Sequence, residues 1–242
     1  MKGAKSSMGC WRYKRLPVNG ASHPKCLVRE AGPEPVSYPA ACSSEYSDVW
    51  MEAMRMEFDG FVAAGTFAEV SEIPEGCNAV DAKWLYNWNR DSHGVVDRAK
   101  ARMVAMGYSQ VEGVDYFETF APTASPTSNR LVAAMACKLD WDLRHLDADQ
   151  TFIQSELDTD IYLRLPLGCG SSGKVVILNK AFYGLKQSGR ARYQLLSSTV
   201  VECGFEQCFV DPCVFRLMVA GYVVAMMDFD VDDIKIAATE EV

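Results

Sequence analysis

No CxxC pair occurs among the cysteines, which are nine in number and scattered: Cys10, Cys26, Cys42, Cys77, Cys137, Cys169, Cys203, Cys208 and Cys213. An odd, unpaired set argues against a disulfide framework and against a structural zinc site. Cys203, Cys208 and Cys213 stand five apart, which suits neither a zinc knuckle nor one face of a helix, and they read as buried free thiols. Long apolar runs are also missing. Nothing approaches the ~20 residues that span a bilayer. The N-terminal MKGAKSSMGCWRYKR carries basic residues without the apolar core of a signal peptide. A soluble intracellular protein with no membrane partner is expected. Positive charge is scarce too: 24 Lys and Arg face 32 Asp and Glu, a net charge of −8. Binding to nucleic acid would therefore need a local basic surface. No internal repeat is visible.

What remains is ample material for a core. The chain has 242 residues, 49% of them hydrophobic, enough for one large domain or two small ones. Residues 1–45 are punctuated by Pro17, Pro24, Pro33, Pro35 and Pro39 and hold no steady period, so an irregular arm is expected. From Tyr46, the residues Val49, Trp50, Ala53, Met54, Phe58, Phe61 and Val62 form one helical stripe, with Ser47 as its cap and Gly65 as its end. Phe67 to Val70 reads as a short strand. Trp84, Tyr86 and Trp88 then alternate along a strand that turns at Arg90–Gly94 and returns over Val95–Tyr108. The returning strand sets Arg98, Lys100 and Arg102 on one face and Ala99, Ala101 and Met103 on the other. Lys83, Arg90, Arg98, Lys100 and Arg102 against Asp91 and Asp97 make a basic ribbon in an acidic protein, and such a ribbon can grip phosphates. A loop over Tyr108–Ser128, a helix over Leu131–Leu139 and a strand over Leu143–Leu146 follow. Thr151–Leu157 reads as helix, Ile161–Leu165 and Val175–Leu178 as strands, and Ala191–Gly204 as helix. The irregular alternation of helices with short hairpins predicts an α+β fold rather than a doubly wound parallel sheet.

The last hairpin, Tyr222 to Ala238, reads YVVAMMDFDVDDIKIAA. Two β-prone runs flank Asp228, Asp230, Asp232 and Asp233. Folding alone needs no carboxylates at such a tip, and adjacent carboxylates repel one another unless a cation lies between them. A solvated acidic turn would also satisfy the pattern. What shifts the balance is Asp147, which follows an apolar run in HLDADQTF. One acid on one strand and a pair on a neighbouring hairpin suit two-metal phosphoryl transfer. Oxygen ligands point to a hard cation. The spacing lacks the Gly and distal Glu of an EF-hand.

Several ordered segments resemble one family, the reverse transcriptases of copia-type LTR retrotransposons. They are WMEAMRMEF, KWLYNWNRDSHGVVDRAKARMVAMGYSQVEGVDYFETFAPT, HLDADQTFIQSELDTDIYLRLPLG, LNKAFYGLKQSGRARY, GFEQCFVDPCVF and DVDD, and the resemblance as a whole covers roughly residues 34–238. The resemblance implies fingers and palm, the palm an antiparallel sheet backed by helices, with the thumb and RNase H lying beyond this chain. It divides the chain into the arm (1–45), a fingers-like part (46–130) and a palm (131–242). Asp147, Asp232 and Asp233 match the catalytic, metal-binding acids. Lys100 and Arg102 match fingers residues that meet the incoming triphosphate. Phe152 matches the aromatic position beneath the sugar, and Pro166–Gly168 matches the turn lining the nucleotide pocket. The implied cofactor is a pair of Mg²⁺ ions, with Mn²⁺ as a substitute. The implied partners are an RNA or DNA template with its primer and deoxynucleoside triphosphates, and the implied compartment is a cytoplasmic particle or the nucleus.

This copy departs from the family pattern. Asp230 stands where an aromatic residue or His precedes VDD, and Asp228 interrupts a strand that is otherwise apolar. Both add negative charge near the acid pair, which predicts raised carboxylate pKa values and a distorted hairpin. Ser188-Gly189 follows YGLKQ, and Tyr193 stands at the family's Trp position. Two readings stay open: an RNA-directed DNA polymerase, and a decayed or repurposed copy that folds and at most binds nucleic acid. A metal-dependent nuclease would leave the basic ribbon without a role.

Overall fold

The computed structural model describes residue 24 and residues 26–147, 151–169, 173–230 and 233–239. The chain forms two compact units. The first takes residues up to Asp115 together with Thr159–Asn179 and Tyr183–Leu185; the second takes Tyr116–Asp158, Lys180–Phe182 and Lys186 onward.

In the first unit, α1 (Tyr38–Ser43) precedes α2 (Ser47–Ala63). The short α1 lies inside the segment expected to be irregular. Ser37 accepts a hydrogen bond from the Ala40 amide, and Pro39 sits in the first turn, where its missing N–H costs nothing. The N-cap of α2 is Tyr46, with no side-chain cap bond, so Ser47 is the first helical residue rather than the cap. The strands are β1 (Phe67–Glu69), β2 (Ala79–Arg90), β3 (Val96–Ala105), β5 (Glu156–Arg164) and β6 (Val175–Lys180), in the order β1-β6-β5-β2-β3. The β2–β3 hairpin is antiparallel, whereas β2 and β5 run parallel. At the β2–β3 turn, Asp91 Oδ1 accepts the amides of His93 and Val95.

Burial alternates along β2 as the sequence predicts. Trp84, Tyr86 and Trp88 are buried, as are Ala101 and Met103 on β3, and α2 covers them with Trp50, Met54, Phe58 and Phe61. Trp50 meets Tyr86 edge-on at 5.5 Å between centroids and Trp88 at 4.1 Å. These are the aromatic pairings that add to area burial.

In the second unit, β4 (Asp142–Asp147), β7 (Phe205–Gln207), β8 (Val214–Val219), β9 (Tyr222–Asp230) and β10 (Asp233–Ala238) form a sheet in the order β4-β10-β9-β8-β7, with every described pair antiparallel. Two helices, α3 (Pro126–Leu139) and α4 (Ser188–Glu202), pack on it. Strand alternation assigns each helix its own face. Phe215, Ala225 and Phe229 join Leu196 and Val200 of α4, while Val214 and Ala237 join Val132 and Ala136 of α3.

Helix α3 starts five residues before the expected Leu131. Ser125 accepts the Ser128 amide as N-cap, and Pro126 occupies the first turn. Asp211 reinforces this start: Oδ2 accepts from the Ser125 amide at 3.1 Å and from the Ser128 hydroxyl at 2.5 Å. The expected helix over Thr151–Leu157 is replaced by a single 3-10 turn, Thr151–Gln154, and β5 begins at Glu156. Among the described residues no cysteine is bonded to another. Cys213 is buried and its thiol is pushed up to about 12 by burial, but Cys203 is exposed and Cys208 half-buried, contrary to the expectation for these two.

No helix among the described residues is long and apolar enough to cross a membrane.

Candidate active site

The acid-bearing end of the second sheet is built from three neighbouring strands. β4 ends at Asp147, β10 begins at Asp233 and β9 ends at Asp230. In the ladder Asp147 is directly opposite Asp233, and Asp233 is directly opposite Asp230. Directly opposed residues in antiparallel strands lie about 4.5–5.5 Å apart at their Cα atoms. Three acidic positions thus form one row across the sheet, although Asp147 and Asp233 are separated by most of the unit in sequence. Asp232 lies outside the described residues, as does the side chain of Asp147.

Asp233 is exposed and accepts a hydrogen bond from His145 Nε2 at 3.1 Å. His145 shares a strand face with the Asp147 position and reaches diagonally, since its direct partner in the ladder is Lys235. Lys235 is drawn the other way. Its Nζ donates to Asn129 Oδ1 on α3 at 2.7 Å and lies 3.9 Å from Asp228 Oδ2. Asp228 is 1% exposed, and its Oδ1 has no hydrogen-bond partner among the described residues. Burial pushes its carboxyl above the usual range, against the pull of Lys235, with Asp211 and Asp230 adding to the rise. The raised carboxylate is as the sequence predicts for this position. Among the described residues β9 runs unbroken to Asp230 and pairs with β10 without a register shift, while the hairpin tip at residues 231–232 lies outside the described residues. The lysine opposite Asp228 explains why the ladder tolerates a buried acid there.

This end of the sheet is suited to a hard divalent cation. Its donors are carboxylate oxygens, and no thiol or thioether stands in the row, so the chemistry favours Mg²⁺ or Mn²⁺ over a soft metal. Among the described residues no three His, Cys, Asp or Glu side chains converge closely enough to hold a metal ion. A cavity of about 720 Å³ lined by Trp141, Asp142, Arg144 and Ile236 lies at the opposite end of β4 and β10. Its lining also includes Asp140, and Arg144 and Asp142 pair with each other at 2.8 Å.

The remaining positions singled out in the sequence are divided between the units. Phe152 is half-buried on the 3-10 turn of the second unit. Lys100 and Arg102 lie in the first, on the face of β3 turned away from the buried aromatic residues, where they pair in the ladder with Asn87 and Leu85. Arg102 is exposed and approaches the Tyr183 ring at 6.0 Å, while the Ala105 amide donates to the Tyr183 carbonyl. Glu57 of α2 accepts the Met103 amide. Burial pushes its carboxyl up, and that amide together with Lys100 and Arg102 draws it back. Pro166 and Gly168 also belong to the first unit. The Leu167 carbonyl accepts from Trp84 Nε1 at 2.9 Å. A Cβ on Gly168, at φ +92°, would come within 2.5 Å of Met54 and Tyr38, so glycine is required there by packing.

His145 and Lys235 were not singled out from the sequence. Alternation in LRHLD does put His145 on the Asp147 side of its strand, but only the register shows which acid each cation meets.

The family assignment comes from sequence comparison. The chain belongs to the reverse transcriptase (RNA-dependent DNA polymerase) family, whose model matches residues 65–241. It is 34% identical over 198 residues to the retrovirus-related Pol polyprotein from transposon RE2 of Arabidopsis thaliana, covering 81% of this chain and 14% of that protein. It is 35% identical over 194 residues to the corresponding polyprotein from transposon RE1 of the same plant, covering 79% and 13%. A match of 31% over 213 residues to the polyprotein from transposon TNT 1-94 of Nicotiana tabacum covers 86% and 16%. The expected kinship with copia-type Pol polyproteins is borne out, and the chain spans about one seventh of the length of these relatives.

Proposed function

We propose that this chain is the RNA-directed DNA polymerase portion of a copia-type Pol polyprotein, adding deoxynucleotides to a primer 3′-hydroxyl. The observation that carries the reading is the acidic row, with Asp147 and Asp233 opposed across β4 and β10 and Asp230 beside them. In this reading the second unit is the palm and the first supplies the fingers. Asp147, Asp232 and Asp233 hold the divalent ions, Mg²⁺ or Mn²⁺. Bound metal would supply a lowered pKa at the primer hydroxyl and a counter-charge for the departing pyrophosphate. Lys100 and Arg102 offer a point charge and a fork to the triphosphate. Phe152 sits beneath the sugar, and the Pro166–Gly168 turn borders the nucleotide.

Template and primer are held through their phosphates, so binding should weaken steeply with salt. Family membership and the ordered motifs support the same assignment. The test is primer extension on an RNA template with deoxynucleoside triphosphates and Mg²⁺. Wild-type chain should extend the primer, and Asp147→Asn should lower incorporation by at least about 10³-fold, the equivalent of about 4 kcal/mol in the barrier. A wild-type chain that extends no primer with either Mg²⁺ or Mn²⁺ would overturn the proposal.

A further inference from the structure

We infer that His145 is a positioning residue for the acidic hairpin, holding the Asp233 carboxylate in the orientation a divalent cation requires. The inference rests on the polymerase reading of this site. Two basic side chains stand on the same face of the sheet near Asp233: His145 on β4 and Lys235 on β10, opposite each other in the ladder. Left to charge alone, the lysine would be the partner of choice for a carboxylate two residues away on its own strand. It is otherwise engaged, by Asn129 at 2.7 Å and by the buried Asp228 at 3.9 Å. Asp233 is left to the histidine, at 3.1 Å.

The distinction has chemical content. An ammonium bound to Asp233 would cancel the negative charge that a cation site needs and would compete with the ion for the same oxygens. An imidazole with its proton on Nε2 donates one hydrogen bond without carrying a charge. It engages the carboxylate through Oδ1 and leaves Oδ2 for a cation. Hydrogen bonding of ligating carboxylates by a surrounding shell is how metal sites hold their geometry, and losing one such partner typically costs 10–100-fold in metal affinity. The buried Asp228 acquires a role in this arrangement: it is the acid that keeps Lys235 away from Asp233.

The experiment uses the full 242-residue chain with His145→Leu and His145→Gln, the second retaining an N–H donor. Mn²⁺ affinity is measured calorimetrically without nucleotide, the imidazole Nε2–H is followed by ¹⁵N NMR, and primer extension is titrated with Mg²⁺. Expected are about tenfold weaker Mn²⁺ binding in His145→Leu, recovery to within about threefold in His145→Gln, and loss of the His145 Nε2–H signal in Asp233→Asn. In extension, the Mg²⁺ requirement should rise while the KM for deoxynucleotide stays unchanged. A leucine variant that binds Mn²⁺ as wild type does overturns the inference, as does a wild-type chain that binds no Mn²⁺ or an Nε2–H signal indifferent to Asp233→Asn. If the NMR and Mn²⁺ results are as expected but wild type extends no primer, the histidine's role stands and the polymerase reading falls.

Discussion

In the first unit, the β2–β3 ribbon turns Trp84, Tyr86, Trp88, Ala101 and Met103 inward and leaves Lys100 and Arg102 on its other face. In the second, β9 carries Asp228 to the interior with one oxygen unpartnered among the described residues, and three strands crowd acidic positions into one row. The first sheet obeys the alternation of its sequence and gains from it. The second breaks that pattern near the candidate site, where burying a charge and opposing carboxylates both cost free energy. Departures from local consistency of this kind concentrate at functional sites. The contrast separates residues that hold the molecule together from residues held in place by it.

Three changes would break or sharpen that contrast. The largest effect is expected from Trp50→Ala. This 1%-exposed side chain joins α2 to Tyr86 and Trp88, and its removal should cost about 3–5 kcal/mol of stability, read by urea denaturation. Next is Gly184→Ala, in the YGLKQ segment. Gly184 has φ +89°, and a Cβ there would stand 2.2 Å from the Ala105 carbonyl oxygen at the edge of β3. Left-handed strain and the backbone clash together should cost about 2–4 kcal/mol, with faster amide exchange at the end of β3.

The smallest change should have the opposite sign. Asp228→Val removes a buried acid whose second oxygen has no partner among the described residues, and Lys235 keeps Asn129 and partial exposure to water. A gain of about 1 kcal/mol at pH 7 is expected, a rise of about 2–4 °C in Tm. The pH dependence follows from the raised carboxyl. Between the ordinary Asp range and its higher folded value, the unfolded chain has released the proton and the folded chain still holds it, so wild-type stability falls as pH rises through that window. The valine variant's advantage should therefore shrink as pH is lowered toward the ordinary Asp range. An advantage that grew on acidification would show that Asp228 is stabilised as an ion by Lys235.

The sequence was a good guide wherever one element decides its own shape. The stripe from Trp50 to Phe61 and the alternation from Trp84 to Trp88 depend on neighbours three, four or two residues away, and both were legible. It was a poorer guide at Thr151–Leu157, read as helix, because the strand from Glu156 is stabilised in part by parallel pairing with the distant β2. The early start of α3 was missed because Pro126 was read as a loop residue, whereas Ser125 and Asp211 make it the first turn of a helix. Cys203 and Cys208 escape burial although their composition suggested otherwise. At the candidate site, Asp147 and the acidic hairpin were visible as motifs, while the pairing of His145 with Asp233 and of Lys235 with Asp228 was not.

By itself, then, the amino-acid order determined the periodic elements, the family and the acids available for chemistry, because these are properties of residues and their near neighbours. The tertiary structure alone decided which acid each cation meets. That choice depends on the register between β4 and a strand about 90 residues further on. A slip of one residue there would send every side chain to the other face of the sheet.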